Sequence, residues 1–249
     1  MPTIWNINRY IETGWYVSRR FYKKANLQLE ELGRELNFIG VVAFQMCHVS
    51  ELFYRKANLS YPMKLKYEIC VRDDRSVSMF SRLTDTKDGT VLVDEERITM
   101  YMDRSTRQRV ELPNKYKEIY GSGKGKRMVP QVPQRPSSYF TIKLIVTHSD
   151  TDAQYHTNQS VYLKYCSDCA AAATAAHYYT MIHGDFFSYE ILDTASAYKA
   201  ETFPGDELHV STWQNPQNYS ELYFYIENGT IPVFTSVFNI RTKQCRSNL

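Results

Sequence analysis

The chain has 249 residues, long enough for one large domain or two of ordinary size. Its 43% apolar and 23% charged residues exclude a disordered chain, and a net charge of +3 argues against nucleic acid as a partner. No run approaches the roughly 18–20 apolar residues of a membrane span, so no membrane span is expected.

The amino terminus, MPTIWNINRY, lacks the basic region and apolar core of a secretory signal, and WNINRYIETG reads as a short loop. A helix is predicted over 12–35, followed by strands at 50–60, 64–72, 76–85 and 90–102. Asp88-Gly89 supplies a hairpin turn. Segment 121–138, GSGKGKRMVPQVPQRPSS, is the densest in Gly, Pro and Ser and reads as a connector. Beyond it come a strand at 141–149, a polar loop, and a helix over 160–183. That helix carries an alanine-rich stretch, and Gly184 stands at its expected C-cap. Strands at 188–201, 206–215, 219–227 and 231–241 close the chain, the last pair joined at Asn228-Gly229.

The two halves repeat one order of elements. Ser60-Tyr61-Pro62 matches Thr202-Phe203-Pro204, and Gly89 matches Gly229, at near-constant separations of 142 and 140 residues. This is an internal duplication. It divides the chain into residues 1–103, a basic linker at 104–138, and 139–249. The expected class is α+β, each half a long helix packed on a curved antiparallel sheet.

The chemistry concentrates in the loop His148-Ser149-Asp150-Thr151-Asp152-Ala153-Gln154-Tyr155-His156-Thr157-Asn158-Gln159, which leads straight into a helix. Free backbone N–H groups at a helix start favour developing negative charge. Asp150 is expected to orient the loop by bonding its own backbone, and Asn158 is as readily an N-cap as a ligand-binding group.

Asp150-Thr151-Asp152 with His156, Asn158 and Val161-Tyr162-Leu163 resembles the signature of hotdog thioesterases. The similarity is to plant-type acyl-acyl carrier protein thioesterases, themselves tandem hotdogs, and to the 4-hydroxybenzoyl-CoA thioesterase group. It covers 139–241 by motif and 1–103 by architecture. The resemblance implies two fused hotdog domains and a site of Asp152, Gln154 and His156, with Glu201 from a later strand. Asn158, Tyr155 and Thr202 are expected to contact substrate. Two positions depart from the family: Gln154 stands where it has Asn, and Tyr155 where many members have a small glycine, which is expected to narrow the pocket.

On this reading Asp152 or Glu201 takes a proton from water, His156 passes one to the leaving thiolate, and Gln154 and helix amides hold the carbonyl oxygen. The substrate is acyl-CoA or an acyl carrier protein conjugate, with no cofactor and no metal. The first half lacks the loop pattern and serves as the partner half, its Trp15, Tyr16, Phe21, Leu29 and Leu32 region lining the pocket. One rival is a hotdog dehydratase. Another is a non-catalytic binder of acyl groups or other lipophiles, in which Asp152→Asn leaves affinity intact.

Cys166-x-x-Cys169 is a lone pair without further zinc ligands. GSGKGK at 121–126 lacks the spacing of a phosphate loop. Residues 104–135 carry +7 against −4 for the rest, which suits CoA phosphates or an acidic carrier as readily as a solvated linker. Five cysteines, an odd count, read as free thiols in a reducing, cytoplasmic setting. The terminal Ser-Asn-Leu departs in its middle residue from a peroxisomal tail, leaving that or another organelle as the alternative. A fused pair already holds one hotdog interface, so a monomer or a homodimer is expected.

Overall fold

The computed structural model describes residues 3–21, 36–55, 63–121, 123, 131–152 and 155–242. Helix α1, Ile4–Phe21, turns Ile4, Ile7 and Ile11 inward at helical spacing. It begins eight residues before the expected Glu12, so WNINRYIETG lies within a helix and not in a loop. Asn8 and Glu12 share the buried stripe with the isoleucines, and these two polar residues disguise the apolar period. The side chains of Trp15, Tyr16, Phe21, Leu29 and Leu32, and the Ser60-Tyr61-Pro62 motif, lie outside the described residues.

Strand β1, Phe38–Val49, was not expected, yet it alternates buried Ala43, Gln45, Cys47 and Val49 with more open neighbours. The strand expected at 50–60 instead opens as a short helix α2, Glu51–Arg55. Ser50 starts it by accepting the Leu52 and Phe53 amides on its hydroxyl and carbonyl oxygens. Strands β2, Met63–Asp73, β3, Ser76–Asp85, and β4, Val91–Asp103, follow where they were expected. Gly89 and, in the second half, Gly229 both take positive φ, as their hairpin turns require.

Part of the basic segment is folded. Helix α3, Asn114–Tyr120, buries Tyr116 in a small cluster with Val71, Val77, Tyr101 and Leu112. Gly123 approaches the Val71 carbonyl so closely that a Cβ there would stand 2.9 Å from its oxygen. The chain then forms β5, Phe140–Ile145, and helix α4, Gln159–Ala175. Strands β6, Tyr189–Tyr198, β7, Glu207–Gln214, β8, Glu221–Asn228, and β9, Ile231–Thr242, complete it.

Helix α4 ends well short of Gly184. His177 takes the left-handed position after the cap, its amide bonds Thr174, and the Tyr178 amide bonds Ala173. That pairing closes the helix in a Schellman motif, with His in the place usually given to Gly.

All nine strands form one antiparallel sheet in the order β2-β3-β4-β1-β6-β9-β8-β7-β5. Read outward from the β1–β6 seam, the order is β1-β4-β3-β2 on one side and β6-β9-β8-β7 on the other, with β5 added beyond β7. Each half thus repeats one helix and four strands in one topology.

The two helices lie side by side, and α4 packs on β5 and β7. Their contacts run antiparallel: Glu12 meets Asn158 and Gln159, while Ile4 and Trp5 share a cavity with Ser167 eight residues further along α4. Cys166, Cys169, Ala170 and Ala173 are fully buried, and small residues there let α4 settle close to the sheet. Replacing Ala173 by Leu should destabilise the protein by about 1–3 kcal/mol through overpacking. Chemical denaturation checks this, and an unchanged midpoint would contradict the close packing.

Candidate active site

The loop before α4 is tied down residue by residue. Thr147 donates its amide (3.0 Å) and its hydroxyl (2.6 Å) to Asp150 Oδ2, so Asp150 orients the loop through local backbone, as its position suggested. The Asn158 amide donates to the Asp150 carbonyl, and Lys164 Nζ lies 3.6 Å from the carboxylate. Burial pushes the Asp150 carboxyl up, but the Thr147 hydroxyl and amide outweigh it and its pKa falls below the usual carboxylate range.

A carboxyl lowered on folding adds stability that is present above its unfolded value, about 3.9, and is lost as pH falls through the folded one. Asp150→Ala should therefore cost about 1–3 kcal/mol at neutral pH. The gap from the parent protein should narrow below about pH 4. Urea melts at several pH values measure it, and a pH-independent gap would contradict the bonding described.

The Asp152 amide donates to the His156 carbonyl (2.9 Å), and Asp152 Oδ1 accepts from the His156 amide (3.4 Å). The two expected catalytic residues therefore close one short loop. Gln154 lies outside the described residues. His156 Nδ1 lies 3.5 Å from Glu201 Oε1, and Arg107 reaches the same oxygen at 3.4 Å. Phe203 meets the His156 ring edge-on, with centroids 5.1 Å apart.

Arg107 was not singled out from the sequence. It sits at positive φ in the turn after β4, and 94 residues separate it from Glu201, so no local pattern could have indicated it.

The remaining expected residues divide by environment. Asn158 is the N-cap of α4: its side-chain oxygen accepts the Ser160 amide at 2.9 Å, and its Nδ2 donates to Glu12 at 3.3 Å. Thr202 is fully buried, its hydroxyl shared with Thr157 (2.6 Å) and Tyr162 (2.8 Å). Its carbonyl accepts the Thr157 amide, so Thr202 straps the loop to the segment that carries Glu201.

Tyr155 takes a φ of 62°, and the residue is 69% exposed. It projects to solvent, and the expected narrowing of a pocket does not follow from its placement. Left-handed backbone costs a non-glycine residue about 1–2 kcal/mol. Tyr155→Gly should hold or raise stability by up to about 1 kcal/mol, because relief of that strain competes with glycine's extra unfolded entropy. Tyr155→Ala, which keeps Cβ, should give no such gain. Parallel thermal melts decide it, and a gain from alanine would contradict the strain.

A second feature lies along the helix pair. A cavity of about 160 Å³ is lined by Ile4, Trp5, Tyr54, Ser167, Phe186 and Phe187, among others. Ser167 is eight residues beyond Gln159, which places the cavity about 12 Å along α4 from its start. Cys166 and Cys169 are buried and burial raises both thiols, which makes them unreactive. Among the described residues, no group of three His, Cys, Asp or Glu is arranged to hold a metal.

No protein-family model matches the chain, and no curated protein matches it. Solved structures do. A 12:0-ACP thioesterase from Umbellularia californica superposes with a TM-score of 0.74 at 14% identity, covering 97% of this chain and 90% of that one. An acyl-ACP thioesterase from Bacteroides thetaiotaomicron gives 0.64 at 15% identity, over 91% of this chain and 88% of that one. A Lactobacillus plantarum protein provisionally described as an oleoyl thioesterase gives 0.71 at 14%, over 96% and 89%. At such identity the likeness establishes the fold, a tandem hotdog of α+β class.

Proposed function

We propose that the chain hydrolyses acyl thioesters, with water activated by a carboxylate of the loop before α4. The observation that carries this reading is the convergence of Asp152, His156 and Glu201 at the start of a long helix, in a tandem hotdog frame. Asp152 acts as base: it takes a proton from water as the oxygen adds to the thioester carbon. The positive end of the α4 dipole stabilises the carbonyl oxygen as it gains charge. The intermediate collapses with cleavage of the C–S bond, and His156 delivers a proton to the leaving thiolate. Glu201, itself held by Arg107, accepts from His156 Nδ1 and fixes the ring so that Nε2 faces the sulfur.

In this reading the acyl chain runs between α1 and α4 toward the aromatic cavity. A carbon–carbon bond of about 1.5 Å advances about 1.25 Å along an extended chain, so 12 Å corresponds to about ten carbons. Medium-length chains fit best. The substrate is an acyl-CoA or an acyl carrier protein conjugate. Two of the three proteins named above are described as acyl-ACP thioesterases, which supports the carrier form. The halves 1–103 and 139–249 are taken as two domains, the second bearing the site and the first completing the pocket.

Thiol release from a panel of acyl-CoAs and acyl carrier conjugates tests the reading. Release should peak at medium length and fall at least about 100-fold in Asp152→Asn, with the thermal midpoint unchanged. Glu201→Gln should lower kcat with little effect on KM. No release from any substrate, or release that Asp152→Asn leaves intact, would overturn it.

A further inference from the structure

The core between α1 and the sheet is not apolar where a hydrocarbon chain would lie. Strand register sets two rows of side chains across the seam. One runs Ser81–Glu95–Cys47–Thr194 and the next Met79–Arg97–Gln45–Ser196–Ser236. Ser81, Glu95, Gln45, Arg97, Thr194, Ser196 and Ser236 are each at most 3% exposed. From above, α1 contributes Asn8 and Glu12, at most 4% exposed, so a polar belt is enclosed between helix and sheet.

Part of this belt is satisfied internally. Gln45 Nε2 donates to Asn8 Oδ1 at 3.1 Å, Tyr198 donates to Gln45 Oε1 at 2.7 Å, and Arg97 pairs with Glu95 and lies 3.7 Å from Glu12. Burial raises the Glu95 carboxyl, and Arg97 and Gln45 oppose that rise. Yet Asn8 Nδ2, Ser81 Oγ, Glu95 Oε2, Arg97 Nη2, Thr194 Oγ1 and Gln159 Oε1 are all buried without a partner. An unsatisfied buried polar group is costly, so such a concentration calls for an occupant.

The belt adjoins the candidate active site. Glu12 accepts from the Asn158 and Gln159 side chains, and the Tyr198 hydroxyl also reaches the Gln159 carbonyl at 3.2 Å. Gln159 is three residues past His156, and Tyr198 is three before Glu201. Asn8 stands one turn, about 6 Å, along α1 from Glu12 toward the aromatic cavity. Along α1 the order is therefore Glu12 beside the candidate site, then Asn8, then the cavity at Ile4 and Trp5.

We propose that the belt formed by Asn8, Ser81, Glu95, Arg97 and Gln159 recognises a hydroxyl group carried by the acyl chain close to its thioester, so that the substrate is a hydroxyacyl thioester. The unpartnered atoms include donors (Asn8 Nδ2, Arg97 Nη2) and acceptors (Glu95 Oε2, Gln159 Oε1). A hydroxyl offers both functions at once. A ketone only accepts, and a carboxylate or an ammonium would each meet like charge in the mixed set of Glu12, Glu95 and Arg97, which a neutral group avoids. A plain methylene satisfies none of them. A site built to bond a hydroxyl strongly rejects the analogue that lacks it.

This proposal rests on the acyl thioester reading, and its test separates the two. Thioether analogues of acyl-pantetheine, the arm shared by CoA and carrier proteins, are not hydrolysed. Pairs of equal length, with and without a hydroxyl on a carbon near the thioether, are titrated calorimetrically into the full chain. The hydroxylated member should bind at least about tenfold more tightly. Ser81→Ala and Asn8→Leu, each verified as folded by thermal melt, should shrink that ratio. Equal affinity, tighter binding of the plain chain, or binding of neither overturns the proposal. Turnover is scored independently on the corresponding thioesters. A hydroxyl preference in binding with no thiol release removes the hydrolase reading and leaves the recognition site standing. Release at equal KM from plain and hydroxylated substrates does the reverse.

Discussion

The pairing of β1 with β6 is the contact on which everything else depends. Five residue pairs, Phe44 with Ala197 through His48 with Asp193, join two repeats into one sheet, and His48 bonds Asp193 across the seam at 2.7 Å. This pairing brings α1 beside α4 in antiparallel order. Only then can Glu12 of the first half grip the first residues of α4. Without the seam the second-half loop would still have its cap and its strap to Thr202. It would lack the grip of Glu12, and Arg107, from the linker just after β4, would not reach Glu201.

The two halves share a topology and differ in where they carry polar residues. Both repeat a long helix and four strands in the same order, and a loop rich in Asp and His precedes α4. The first half carries its polar residues inside. Asn8, Glu12, Gln45, Glu95 and Arg97 occupy inward positions where a helix on a sheet would ordinarily bury aliphatic side chains. Taking charges out of water is expensive, and replacing a buried ion pair with apolar residues is often neutral or stabilising. A belt of this kind is a poor device for stability and a natural one for recognition.

Much of this was legible in the sequence, for identifiable reasons. β8 alternates buried and open positions, and Asp88-Gly89 and Asn228-Gly229 mark one hairpin in each half, so β3, β4, β8 and β9 fall close to where they were expected. The loop's polarity beside an apolar strand pointed to His156 and Asp152, and the separation of 45 residues between His156 and Glu201 was bridged only by resemblance to a family. What was hidden has physical causes. Asn8 and Glu12 break the apolar stripe of α1, so its start was placed too late. Ser50 begins a helix where a strand was expected. His177 ends α4 in a conformation usually left to glycine. The polar belt itself depends on strand register across the seam, which no local pattern encodes.

Hydrolysis at the thioester carbon can be followed through the fate of one water oxygen. The protein should be incubated with a medium-chain acyl thioester in oxygen-18-labelled water and the products analysed by mass spectrometry. The account predicts one labelled oxygen in the released carboxylic acid and one free thiol for each acid formed. A thioester recovered intact, or one altered only along its acyl chain with no labelled acid, would contradict it.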